Sequence, residues 1–141
     1  MNHRLAYAGA LPFLACALLP LVGVKTIPPI GALDFVAAVY TLTIVSFMAG
    51  VHWGTALYQP PTEWPVNLLL SSNATTITVW LAFLVTTPDI TLITGILAFL
   101  YLLWIDYHLY RRRLITDDYW QTRHRVTALV VVALLLTVAI P

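Results

Sequence analysis

His52, Asp106, Arg123 and Arg125 are ionisable side chains set inside or at the margins of long apolar runs, and that setting gives them chemical interest. A titratable group surrounded by hydrocarbon is costly unless it is paired, so each one is a functional candidate by default. His52 lies in Gly50-Val51-His52-Trp53-Gly54, with Trp53 beside it, and Asp106 lies in Trp104-Ile105-Asp106-Tyr107-His108 just ahead of Arg111, Arg112 and Arg113. An unpaired carboxylate at the centre of a span would cost about 2.5 to 3.5 kcal/mol, and less nearer the rim. Asp106 therefore needs a partner. Arg113 shares a helical face with Asp106 and Tyr110 at i, i+4 and i+7, and the other candidates are Arg123, Arg125 and His52. Such a constellation can form a structural salt bridge, bind an ion or ligand, or relay a proton.

A second polar feature is the stripe Asn67, Ser71, Thr75 and Thr78, flanked by Ser72, Asn73 and Thr76. It is poorly suited to face lipid. Hydrogen bonding between helices and the wall of a hydrated cleft are the two readings open to it. Gly50 and Gly54 form a GxxxG ridge on which another helix can approach closely. His52 sits roughly 200° round the helix from each glycine and so points to the other side. The histidines, His3, His52, His108 and His124, include no H-x-x-x-H pair, and Cys16 is the single cysteine. Without ligand spacing, no metal, haem or other cofactor is expected.

The elements that must position these side chains are apolar helices. Four long apolar stretches and a more polar fifth fill nearly all of the 141 residues. A spanning helix needs about 20 mostly apolar residues, and a mean hydropathy of +0.86 with 9% charged residues lies far from a soluble domain. The expected fold is an all-α integral membrane bundle of about five helices in a single domain, 1–141, with spans near 5–24, 33–57, 66–87, 90–110 and 120–140. Loop chemistry marks the breaks: Ile27-Pro28-Pro29, Gln59-Pro60-Pro61 and Thr87-Pro88-Asp89. The last break, from Tyr110 to Arg125, has no Gly or Pro. It reads as a helical hairpin with cations closing one helix and Thr116, Asp117 and Asp118 opening the next. The basic start, Asn2 to Arg4, is not followed by a small-x-small cleavage site, so the first segment is expected to be retained.

Arg111, Arg112, Arg113, Arg123 and Arg125 fall in one linker, which the positive-inside rule places in the cytoplasm. Threading back puts the N-terminus and the 59–64 loop inside and Pro141 outside. Trp53, Tyr58, Trp64, Trp104, Tyr107, Tyr110, Tyr119 and Trp120 then form an aromatic belt at the inner interface. Asp34 and Asp89 stand at outer helix starts, where a carboxylate is electrostatically favoured. The missing transit-peptide composition favours a bacterial inner membrane.

With GVHWG closing the second apolar stretch, Asp106 closing the fourth, and the hairpin sequence DYWQTRHRVTALV, the chain resembles the transmembrane protein 69 family over essentially its full length. That family comprises small bacterial inner-membrane proteins and mitochondrial relatives grouped under a domain of unknown function. The most specific parts are His52-Trp53-Gly54, Asp106, and Trp120, Arg123 and Thr127. Where family members commonly have Leu-Pro before a Trp/Tyr pair, this chain has Ile115-Thr116-Asp117-Asp118 before Tyr119-Trp120. The resemblance implies a fold and a site but no reaction. The residues favour a non-enzymatic membrane protein with a cytoplasm-facing polar site built from His52, Trp53, Asn67, Ser71, Asn73, Asp106, Arg123 and Arg125. Such a site would bind a partner protein or small ligand, as a subunit or assembly factor does. The alternative is an oligomeric transporter or channel in which His52 and Asp106 handle ions or protons. Expected partners are the lipid bilayer and either other inner-membrane proteins or further copies of the chain. Nucleic acid is not among them, because topology and anionic headgroups account for the arginines.

Overall fold

The computed structural model describes residues 3–27, 31–58 and 68–139, apart from the side chains of His3, Ile27 and Tyr58. Within them, five segments are long and apolar enough to cross a membrane. The first, Arg4–Val22, is divided rather than continuous: α1 is His3–Ala8, α2 is Leu11–Leu18, and a 3₁₀ turn spans Leu19–Val22. Proline explains both divisions. Pro12 opens α2 and Pro20 opens the 3₁₀ turn; neither has an N–H for the residue four back, and each ring crowds that residue's carbonyl. Gly23 ends the segment at φ 92°, a left-handed conformation open to it because it lacks a Cβ.

A small ribbon follows the first segment. Strand β1, Thr26–Ile27, pairs antiparallel with β2, Gly31–Ala32, with Thr26 opposite Ala32 and Ile27 opposite Gly31. This small ribbon leads into α3, Leu33–Tyr58. Helix α4 is Leu68–Val85, α5 is Pro88–Arg111 and α6 is Asp117–Ala139. Thr87 caps α5, its hydroxyl accepting from the Ile90 N–H at 3.4 Å, and Pro88 takes the first helical position, where no N–H is needed.

The turn from α5 to α6 achieves without glycine what glycine usually does. Arg113 adopts φ 59°, the Leu114 N–H donates to the Leu109 carbonyl at 2.9 Å, and the Arg113 N–H donates to the Tyr110 carbonyl at 3.0 Å. These two bonds are the Schellman pattern. Leu114 packs against the buried cluster of Leu68, Ile105 and Leu109, adding the apolar contact that accompanies it. Thr116 then caps α6, accepting from the Tyr119 N–H at 3.1 Å.

Helix α3 packs on α4 and α5, α5 on α4 and α6, and α2 bridges α3 to α6. Helices α3 and α5 approach closely at Gly95, where a Cβ would stand 2.2 Å from Thr41 Cγ2. Phe13 of α2 fills the middle, edge-on to Phe99 at 5.9 Å and tilted against Tyr40 at 4.7 Å. Helices α3 and α6, by contrast, barely touch. The gap between them positions the site.

Candidate functional site

Near the end of α3, the end of α5 and the start of α6, three side chains close on one another. His52 Nε2 lies 2.9 Å from Asp106 Oδ1, and Arg123 Nε and Nη2 each lie 2.9 Å from Asp106 Oδ2. His52 and Asp106 are 1% exposed and Arg123 is 8% exposed. The carboxylate accepts from imidazole and guanidinium, and charge-assisted bonds of this kind are about twice as strong as neutral ones. One carboxylate thus ties three helices, including the pair, α3 and α6, that has little direct packing. His52 Nδ1 has no hydrogen-bond partner among the described residues.

The candidate residues do not all converge. Arg125 is exposed, because two positions along α6 turn it about 200° from Arg123. Arg113 is also exposed, beyond the last turn of α5, so sharing a face with Asp106 does not bring the two together. Trp53 Nε1 donates to Asn73 Oδ1 at 3.1 Å on the outside of the α3–α4 contact, away from the buried cluster. The hydroxyls of Ser71 and Tyr101 meet at 2.6 Å, joining α4 to α5. Asn67, Trp64 and the 59–64 loop lie outside the described residues.

Two further candidate features lie on α4 and α3. Thr75 and Thr78 return their hydroxyls to the carbonyls of Ser71 and Ala74 in their own helix, at 2.8 and 2.7 Å, and Thr78 is exposed. Back-bonding of this kind satisfies a hydroxyl without any neighbouring helix, so the α4 stripe is only partly an interhelical seam. The glycine ridge is likewise unoccupied among the described residues: nothing lies within 4 Å of a Cβ built at Gly50 or Gly54. The close helix approach belongs to Gly95, which no GxxxG spacing marks.

Beside the buried cluster, between α3 and α6, runs a groove of about 360 Å³. One wall is the α6 face Tyr119, Arg123, Val126, Thr127 and Val130, with Phe47, Met48 and Val51 opposite on α3. The division of the first segment contributes, since the short α1 brings Leu5 and Ala6 to the rim while Phe13 of α2 forms part of the base. Leu5 and Phe47 are 71% and 66% exposed, so the groove opens sideways through the flank of the bundle. Thr127 is 2% exposed and its hydroxyl has no partner among the described residues. Arg123 therefore belongs to two structures at once, the ion pair and the groove wall.

His108 and His124 take aromatic surroundings. His108 stands edge-on to Trp104 at 4.6 Å, and His124 packs on Trp120 at 5.3 Å with its Nδ1 2.9 Å from the Trp120 carbonyl oxygen. Trp120 in turn stacks on Tyr110 at 5.6 Å. This aromatic layer surrounds the α5–α6 turn outside the buried cluster.

The sequence matches, over residues 1–139, a family described as "Protein of unknown function (DUF3429)". The chain belongs to this family. Comparison with curated proteins and with solved structures returned no match. Membership spans every element described above, including the buried cluster and the groove, and brings no reaction with it.

Proposed function

We propose that this chain is a membrane-embedded binding protein that admits a small lipophilic molecule sideways from the bilayer into the groove between α3 and α6, and holds its polar end beside Arg123. The observation that carries this reading is the double placement of Arg123, 8% exposed, in both the ion pair with Asp106 and the wall of a largely apolar groove. A guanidinium in such surroundings needs its charge balanced. Asp106 supplies that balance and fixes the guanidinium in place. Binding suits the cluster better than catalysis: its imidazole Nε2 and both carboxylate oxygens are engaged with one another, whereas a general base must reach its substrate. Groove size fits as well, since small-molecule sites begin at about 300 Å³.

The test is to purify the chain in native lipid and identify bound small molecules by native mass spectrometry, for the wild type and for Ala6→Trp and Val126→Trp. Both substitutions place a large ring at partly buried positions of the groove lining. A molecule enriched over bulk lipid on the wild type and lost from both variants supports the reading. Identical adducts on all three proteins overturn it. Saturable solute uptake by proteoliposomes that survives both substitutions would favour the transport alternative instead.

The membrane in question is proposed to be the bacterial inner membrane, with kinship to the transmembrane protein 69 family, N-terminus inside and C-terminus outside. The arginine-rich α5–α6 turn supports this orientation. A reporter fused after Pro141 should be active only in the periplasm, and cytoplasmic activity would reverse the assignment.

A further inference from the structure

The turn between α5 and α6 places an arginine where helix ends usually put glycine. Among the described residues Arg113 has φ 59°, the one positive value outside glycine, and it stands just past the end of α5, where glycine is favoured because a Cβ is crowded there. Glycine would make the same turn with less strain, so the turn alone does not account for a guanidinium. We infer that the guanidinium serves a headgroup site, in which the cleft at this turn binds the phosphate of an anionic phospholipid between Arg111 and Arg113. This rests on α5 and α6 spanning a bilayer and is independent of the groove.

Position is the first support. An open cleft of about 740 Å³ is lined by Arg111, Arg113, Thr116 and Asp117, exactly where α5 ends and α6 begins. With those two helices in a bilayer the cleft lies at its surface, at the level of the lipid phosphates, and the neighbouring rings of Tyr107, Tyr110 and Trp120 suit that depth. Bracing is the second. Arg111 Nη1 donates to the Tyr107 hydroxyl at 3.1 Å and its guanidinium carbon stands 5.9 Å from the centre of that ring, which restrains the side chain and leaves further N–H groups to donate to phosphate oxygens. Charge is the third. The one carboxylate of the lining, Asp117, is engaged by the Tyr110 hydroxyl. Arg111, Arg112 and Arg113 against Asp117 and Asp118 leave the turn with one net positive charge, and protonation of His108 or His124 would only add to it. A singly charged phosphodiester offsets that charge.

The full chain in mild detergent is titrated with dioctanoylphosphatidylglycerol and with dioctanoylphosphatidylcholine, and the bound fraction is read by native mass spectrometry, with inorganic phosphate as a competitor. Phosphatidylglycerol should bind saturably, with phosphatidylcholine about fivefold weaker or more, the effect of about one charge near such a surface. Arg113→Gly suits the backbone, so that variant should unfold at or above the wild-type temperature while binding phosphatidylglycerol about fivefold more weakly. Arg111→Gln should weaken it by a similar factor. Arg125 is exposed about 12 Å further along α6, beyond the reach of most screened charge effects, so Arg125→Gln should change binding by less than about twofold. Equal affinity for the two lipids overturns the anionic head. Equal losses in Arg125→Gln and Arg113→Gly mean a diffuse field with no site, and unchanged binding in both Arg113→Gly and Arg111→Gln excludes the cleft. Inorganic phosphate that displaces the lipid at equal concentration assigns the cleft to free phosphate and overturns the lipid source. Phosphatidylglycerol binding that Ala6→Trp abolishes and Arg113→Gly leaves intact belongs to the groove, and overturns the site at the turn while the groove reading stands.

Discussion

The half of the bundle around Gly95 and the half around Asp106 join helices by opposite means. At Gly95 helices α3 and α5 approach so closely that a Cβ would overlap the Thr41 side chain, and Leu92 and Phe99, about one turn to either side on α5, are buried. Contact there is short-range. At Asp106, long side chains reach from α3 and α6 to a shared carboxylate, so helices with little direct packing are held at a distance. A tie made of directional bonds allows a groove to open beside it. The comparison shows how one small bundle can be tightly packed in one half and carry a cavity in the other.

Substitutions can break either half, and the Asp106 tie should fail most severely. Asp106→Asn leaves Arg123 buried without a counter-charge, and breaking a buried pair from one side costs about 3 to 5 kcal/mol. Unfolding in mild detergent should show most of that loss, together with loss of any groove ligand. Gly95→Leu should cost about 1 to 3 kcal/mol through overpacking, while the distances among His52, Asp106 and Arg123 persist. His52→Phe leaves one oxygen of Asp106 without its donor and should cost about 1 to 3 kcal/mol, less than Asp106→Asn because the guanidinium contact remains. At the small end, Asp89→Asn and Arg125→Ala change exposed side chains and should stay within about 0.5 kcal/mol. A loss at Asp89 comparable to that at Asp106 would erase the distinction between a buried carboxylate and a helix-start one.

The long helices and the buried tie could be read from the residue pattern because both follow from strong, local rules. Apolar length defines the spans, and a carboxylate at the end of α5 must find a cation near the start of α6. Choosing Arg123 over Arg125 needed the rotation of α6, which a charge count does not contain. The division of the first segment was written in Pro12 and Pro20, yet apolar length outweighed it in the reading of one continuous span. Gly95 stayed hidden because close approach depends on the residue opposite, Thr41, and not on any spacing along α5. The groove was illegible for a related reason. It exists because α3 and α6 fail to pack, and a missing contact leaves no mark in composition or periodicity.

Replacing His52, Asp106 and Arg123 together, as H52F/D106L/R123M, separates holding the fold from holding a ligand. Apolar groups of similar size in place of a complete buried ionic cluster are often neutral or stabilising, so the triple variant should unfold at or above the wild-type midpoint. The decisive measurement is its native mass spectrum in native lipid. The account predicts a folded protein from which the groove-bound molecule seen on the wild type is absent; a folded triple variant that still carries that molecule at wild-type occupancy would contradict it.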